Sequence, residues 1–135
     1  MTTHTAGTFT YTDWDETTVG RNPDGARLAR ATVSNVFSGG IAAERTSCVY
    51  SITYLTEKTG VCRGHELLNG TLDGRRGGFV IDQYATFGED GTVHCTFEVV
   101  AGSGTGELTG LTGTGRYTAV PGETAVPYTL DYTVG

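Results

Sequence analysis

The sequence predicts an all-β protein with little helix: one domain over residues 1–135, built as a single eight-stranded antiparallel β-barrel. Three observations carry that expectation. Apolar and polar residues alternate with period two from end to end, as they do where successive side chains point to opposite faces of a strand. Turn-forming residues punctuate those runs. No long segment carries a clean helical stripe.

The elements follow in chain order. Phe9, Tyr11 and Asp13 alternate with Thr8, Thr10 and Thr12, and Asn22-Pro23-Asp24-Gly25 then marks a turn. Leu28 to Val36 comes nearest to a helix, but Thr32, Val33 and Val36 are β-branched and favour a strand. Ala29, Ala31 and Val33 share one of its faces. Ser38-Gly39-Gly40 is a turn, and Tyr50, Ile52 and Tyr54 form the next alternating run. Cys62, Glu66 and Leu68 share a face, and Asn69-Gly70-Thr71, a sequon by pattern, reads as a turn. Asp73-Gly74 favours a hairpin, because Gly accepts positive φ without steric cost. Phe79, Ile81 and Gln83 follow, then Glu89-Asp90-Gly91, then Cys95, Phe97 and Val99. Pro121-Gly122 precedes the last run, Tyr128, Leu130, Tyr132 and Val134. About eight strands result. Closing them into a barrel removes the two bare edges that an open sheet leaves, and the abundant glycines suit tight curvature.

Composition excludes several function classes. The net charge is −6 and the nine basic residues are scattered apart from Arg75-Arg76. Nucleic acid and anionic membrane surfaces both call for clustered Lys and Arg. No apolar run approaches the roughly 20 residues of a membrane span, and the first residues show no export signal. Cys48, Cys62 and Cys95 form no Cys-x-x-Cys pair, so they read as reduced thiols of a cytoplasmic protein. His4, His65 and His94 have no ligand spacing, so neither metal nor cofactor is expected. Gly102-Ser103-Gly104-Thr105-Gly106 is not a nucleotide loop, because Gly110, Gly113 and Gly115 cannot sustain the helix that must follow. It reads as a flexible crossover folded over one barrel end.

With the aromatic face inward, the lumen receives Phe9, Tyr11, Ala29, Ala31, Val33, Tyr50, Ile52, Tyr54, Leu68, Phe79, Ile81, Phe97, Tyr128, Leu130 and Tyr132, together with Asp13, Glu66 and Gln83. Apolar walls with a few polar groups are what small-molecule sites look like. The candidate substrate-binding residues are Tyr11, Ile52, Phe79, Ile81, Phe97, Tyr128, Leu130 and Tyr132. The bland alternative is a solid core whose tyrosines reach water at the barrel ends. Glu66 is the sharpest catalytic candidate: among aromatic side chains its pKa rises, which suits a general acid or base. Its alternative is pairing with Arg75 or another Arg at a barrel mouth. Tyr50 and Tyr54 are candidate donors to a developing enolate or carbonyl oxygen, or else core aromatics. Gln83 either orients a carbonyl or satisfies buried backbone. Glu44 reads as solvated. Trp14, opposite in parity to Tyr11, reads as covering a barrel end or a subunit interface. Cys62 and Cys95 read as small buried apolar residues.

A resemblance adds to this reading. Three motifs carry it: Phe37-Ser38-Gly39-Gly40-Ile41 with Glu44; Gly64-His65-Glu66, then Gly70-Thr71-Leu72-Asp73-Gly74-Arg75 and Gly78-Phe79-Val80-Ile81; and Val99-Val100 through Gly102-Ser103-Gly104-Thr105-Gly106-Glu107-Leu108 to Gly110-Leu111-Thr112-Gly113. With the closing strand Tyr128 to Tyr132, they resemble an uncharacterised bacterial domain family placed with the allene-oxide-cyclase-like β-barrels. Members of that family often carry His where this chain has Gln83, and Trp where it has Phe97. The resemblance implies a lumen that moulds a reactive hydrophobic molecule, and by fold-level analogy a cofactor-independent cyclase or isomerase acting on a natural product. Self-association as a homodimer or homotrimer is implied on the same ground. The alternatives are a non-catalytic barrel that binds a hydrophobic ligand and an interaction module with a filled barrel.

Overall fold

The computed structural model describes residues 1–135. Nine antiparallel strands account for about two-thirds of it: β1 Thr3–Arg21, β2 Arg27–Gly39, β3 Ile41–Ala42, β4 Ser47–Tyr54, β5 Gly60–Leu72, β6 Arg75–Phe87, β7 Val93–Val99, β8 Thr112–Ala119 and β9 Val126–Thr133. The single helical element is a 3₁₀ turn, Gly106–Leu108. The strands follow the order β3-β5-β4-β2-β1-β9-β8-β7-β6, and β6 returns to pair with β5. The sheet therefore closes into a ring, with the two-residue β3 as an addition beside the far end of β5. No helix is long and apolar enough to cross a membrane.

Hairpin chemistry sets the register. The β5–β6 turn places Asp73 at φ 47° and Gly74 at φ 86°, the left-handed pair that matches the twist of two-residue hairpins. Asn69-Gly70-Thr71 is not a turn. It lies inside β5, where Asn69 faces Gly78 and Gly70 faces Gly77, because the hairpin falls three residues later at Asp73-Gly74.

Alternation is broken once where it matters. Between Thr12↔Ser34 and Asp15↔Thr32 the β1–β2 register shifts, leaving Asp13 and Trp14 together opposite Val33. Asp13 adopts φ 60° to make this bulge. Parity flips beyond it. Asp13 turns out to meet Arg45 at 3.0 Å, and Trp14, expected on the opposite face from Tyr11, joins Tyr11 at the same opening.

Pairing gaps at the other end are filled by loops. β7 leaves β6 after Val99↔Ile81, so the first half of β6 would present a bare edge. The glycine-rich run occupies it. It lies along β6 rather than folding across one end as a flexible cover. The N–H groups of Val80, Gly78 and Arg76 donate in turn to Ser103 Oγ, Thr105 Oγ1 and Glu107 Oε1, each at 3.0 Å. Side chains two apart thus replace a missing strand, satisfying donors that water alone would otherwise serve.

The run then drives Leu108 and Leu111 inward. Both join a packed cluster with Phe37, Ile41, Leu72, Phe79, Ile81, Phe97, Tyr128, Leu130 and Tyr132. Tyr128 Oη accepts the Ile41 N–H at 2.8 Å and Tyr132 donates to Asp73 Oδ2 at 2.6 Å, so the phenols of this end are tied to backbone and turn. This half of the interior is solid.

Candidate functional site

The other half is open. A cavity of about 780 Å³ enters the ring between the β4–β5, β6–β7 and β8–β9 connections. Its walls are Phe9, Val33, Ile52, Ala85, Phe87 and Val126; Tyr11 and Trp14 stand at its mouth. Glu57, Glu89 and Glu123 line it with a single Lys58, so the entrance is acidic. Tyr50, Tyr117 and Asn35 contribute polar groups.

Behind that surface lies a polar network with no unpartnered atom. Gln83 is its hub. Its Oε1 accepts from Tyr117 at 3.0 Å and from Tyr50 at 3.2 Å, and the two phenol oxygens are 3.4 Å apart. Its Nε2 donates to Glu66 Oε1 at 3.1 Å. Glu66 Oε2 takes Asn35 Nδ2 at 2.7 Å and Thr46 Oγ1 at 2.6 Å. Glu66 is 2% exposed and pairs with uncharged donors alone; neither Arg75 nor any other Arg reaches it. Burial pushes its carboxyl above the ordinary range, and the hydrogen bonds from Thr46, Asn35 and Gln83 oppose that rise. Burial also holds the Tyr50 and Tyr117 phenols well above their usual value. The thiols of Cys48 and Cys62 are pushed up to about 12 and that of Cys95 to about 11, chiefly by burial, which removes them as thiolates at neutral pH.

Tyr54 stands apart from this network. It donates to Glu16 Oε2 at 2.7 Å, and the Arg27 guanidinium lies 3.9 Å over its ring. Trp14 Nε1 donates to the other Glu16 oxygen at 3.2 Å. These residues form a rim cluster, which the bulge at Asp13 makes by turning Trp14 and Glu16 inward.

The chain has sequence relatives that can now be placed. Residues 5–132 match the family described as "Protein of unknown function (DUF3224)". The chain belongs to the DUF3224 family. The crystal structure of another DUF3224 protein, of unknown function and from Shewanella oneidensis MR-1, shares 25% identity over 100% of this chain and 99% of that one, with a TM-score of 0.79. No curated protein matches the chain.

Within this DUF3224 protein the sequence-predicted residues divide. Tyr11, Tyr50, Ile52 and Tyr54 line the cavity, while Glu66 and Gln83 sit one layer behind it. Phe79, Ile81, Phe97, Tyr128, Leu130 and Tyr132 share the inward face but lie in the packed end, where Leu108 and Leu111 fill the space a ligand would need. Cys62 lines the cavity rather than the core, and Glu44 is exposed. Three network members escape the sequence reading. Asn35 carried a signal, since it is the polar residue on the inward parity of Ala29, Ala31 and Val33. Thr46 shares parity with Cys48 but precedes its strand. Tyr117 follows the glycine-rich run, which conceals the alternation of β8.

Proposed function

We propose that this protein binds a small, largely apolar molecule in the open half of its ring, the fold acting as an eight-stranded barrel of the allene-oxide-cyclase-like kind. The observation that carries the reading is the cavity of about 780 Å³, walled by aliphatic and aromatic side chains and floored by two phenols that one amide holds together. That volume falls in the range of drug-sized ligand sites, and few convergent polar groups on apolar walls give orientation.

Steering of cyclisation or isomerisation is the second reading, and the apolar walls on several sides favour it, since a folded guest is held near its reactive conformer. Its proton chemistry belongs to Tyr50 and Tyr117 rather than Glu66. An amide stands between the carboxylate and the phenols, and it passes no proton without becoming an imidic acid. Glu66 therefore acts by orientation. Tyr54 stands at the rim, held by Glu16 and Arg27.

Titration with Nile red tests the binding reading. Saturable uptake with blue-shifted emission is expected, and Ala119→Trp, which fills the cavity from β8, is expected to abolish it. A folded protein that takes up no dye overturns the reading. Native mass spectrometry of the purified protein then separates carrier from catalyst: an unchanged metabolite bound one to one supports the former, and conversion of that metabolite in excess supports the latter.

A further inference from the structure

The floor of the cavity has a definite hydrogen-bonding polarity. Gln83 Oε1 is a carbonyl oxygen and only accepts, so its contacts with Tyr117 at 3.0 Å and Tyr50 at 3.2 Å require phenol O–H groups as donors. If one phenol donates instead to the other across their 3.4 Å contact, that proton is still consumed inside the network.

The amide is held in this orientation from behind. Gln83 Nε2 meets Glu66 Oε1 at 3.1 Å. The other oxygen of that carboxylate receives Asn35 Nδ2 and Thr46 Oγ1. Thr46 Oγ1 accepts the Asn35 backbone N–H at 2.9 Å, which directs its own hydrogen to Glu66. Three donors converging on one carboxyl group fit its ionised form. Turning the Gln83 amide over sets its carbonyl against a carboxylate, two acceptors face to face. The charge on Glu66 thus fixes the amide, the amide takes the phenol protons, and the cavity is left facing phenol lone pairs.

We infer that the cavity selects an apolar molecule whose head group donates a hydrogen bond, an alcohol, phenol or N–H, to the Tyr50–Tyr117 pair, and that Glu66 acting through Gln83 sets this preference. The inference rests on the binding reading above. The acidic entrance formed by Glu57, Glu89 and Glu123 adds a bias against anionic guests. Glu66 is a positioning residue here, since Gln83 separates it from any guest.

The chain has one Trp, Trp14, which lines the cavity with its ring 6.0 Å from that of Tyr50, so its emission reports occupancy. Three probes of one shape and little ultraviolet absorption isolate the head group: menthol donates, whereas menthone and menthyl methyl ether only accept. At mildly alkaline pH, above the carboxylate range, menthol is expected to bind roughly tenfold more tightly than either, the ratio for one hydrogen bond made against one acceptor left facing another.

Glu66→Gln provides the decisive variant. Asn35 and Thr46 retain the carbonyl of the new amide, so its NH₂ faces Gln83 and turns that side chain over. The phenols then accept from Gln83 and donate to the cavity. The preference for menthol is expected to vanish or reverse toward menthone. Tyr50→Phe/Tyr117→Phe/Gln83→Leu removes the phenol acceptors together with the carbonyl they cover, leaves the hollow, and is expected to bind all three probes alike; it serves also where Glu66→Gln fails to fold. Equal binding of the three probes by the unaltered protein overturns the inference, as does a Glu66→Gln variant that weakens all three with the ratio intact. Nile red uptake with no response to menthol overturns the head-group assignment alone. Absence of both dye and menthol binding overturns the binding reading, and the inference with it.

Discussion

The indole of Trp14 lies 6.0 Å from the ring of Tyr50, centroid to centroid and tilted by 32°, although strict alternation along β1 sets it on the opposite face from Tyr11. One residue makes the difference. Asp13 at φ 60° inserts a bulge, and the side chains from Trp14 to Thr18 change face, until a second register shift before Gly20.

That conformation yields the first prediction. Asp tolerates the left-handed region better than most residues, and a β-branched residue tolerates it worst. The Arg45 contact is exposed at both ends and contributes little. Asp13→Gly is therefore expected to leave stability within about 0.5 kcal/mol, and Asp13→Val to cost about 1–2 kcal/mol. Urea unfolding measures both. Asp13→Val is also expected to red-shift Trp14 emission as the indole leaves the cavity mouth. An unshifted spectrum contradicts the bulge as the cause of its placement.

Gly64 makes the second case. It lies beside Tyr50 across the β4–β5 pair, and a Cβ at Gly64 meets Tyr50 Cδ1 at 2.5 Å and Val49 O at 2.6 Å. The ring can give way by swinging toward the cavity, off Gln83, whereas the Val49 carbonyl yields only with the backbone. Gly64→Ala is expected to cost about 1–3 kcal/mol, the range for overpacking, and to weaken guest binding about tenfold. Unchanged binding alongside lost stability means that the backbone, not Tyr50, absorbed the clash.

Much of this arrangement is legible in the sequence, and the limits have physical causes. Alternation places Ala29, Ala31, Val33, Ile52, Phe79, Gln83 and Leu130 inside, and Glu66 is found inside by parity alone. Periodicity reports which face a residue takes, however, and says nothing about which stretch of that face stays hollow. That is decided by Leu108 and Leu111, which arrive from a segment with no period and fill one end. The chemistry of the site is legible by halves. Glu66 and Gln83 announce themselves as polar residues on an apolar face, while their link to Tyr117 depends on strand order, which single-strand patterns do not contain. The bulge at Asp13 is invisible because Asp is common in ordinary turns and solvent-facing positions alike.

Stability should depend on pH through Glu66, in a direction opposite to that of a salt-bridged carboxylate. Its folded-state pKa lies above the ordinary value of 4.5. Between those two values the folded state holds a proton that the unfolded chain has released. Unfolding free energy therefore falls as pH rises through that window, and is insensitive to Glu66 below it. Glu66→Gln has no such proton. The difference between the unaltered protein and Glu66→Gln, taken from urea midpoints across the acidic range, is expected to shift in favour of the variant as pH rises. A difference that stays constant removes titration of Glu66 from the account.

The glycine-rich run yields the last prediction. Ser103, Thr105 and Glu107 accept the β6 N–H groups of Val80, Gly78 and Arg76, and Thr105 N–H donates back to the Gly78 carbonyl at 2.9 Å. The side chains thus do the hydrogen bonding of a strand along an edge that β7 has left. Removing one acceptor from a half-buried donor costs about 1 kcal/mol, and the edge is shared, so Ser103→Ala and Thr105→Ala are expected to cost that each and somewhat more together. Amide exchange at Val80 and Gly78 is expected to quicken in the matching variant and to stay slow at Tyr84, whose N–H points to the same side and is still covered by β7. Guest binding is expected to hold, because the cavity lies at the opposite end of the ring. Faster exchange along the whole of β6 in either variant means that the run serves as a general clamp on the ring, and the rung-by-rung assignment of Ser103 and Thr105 falls.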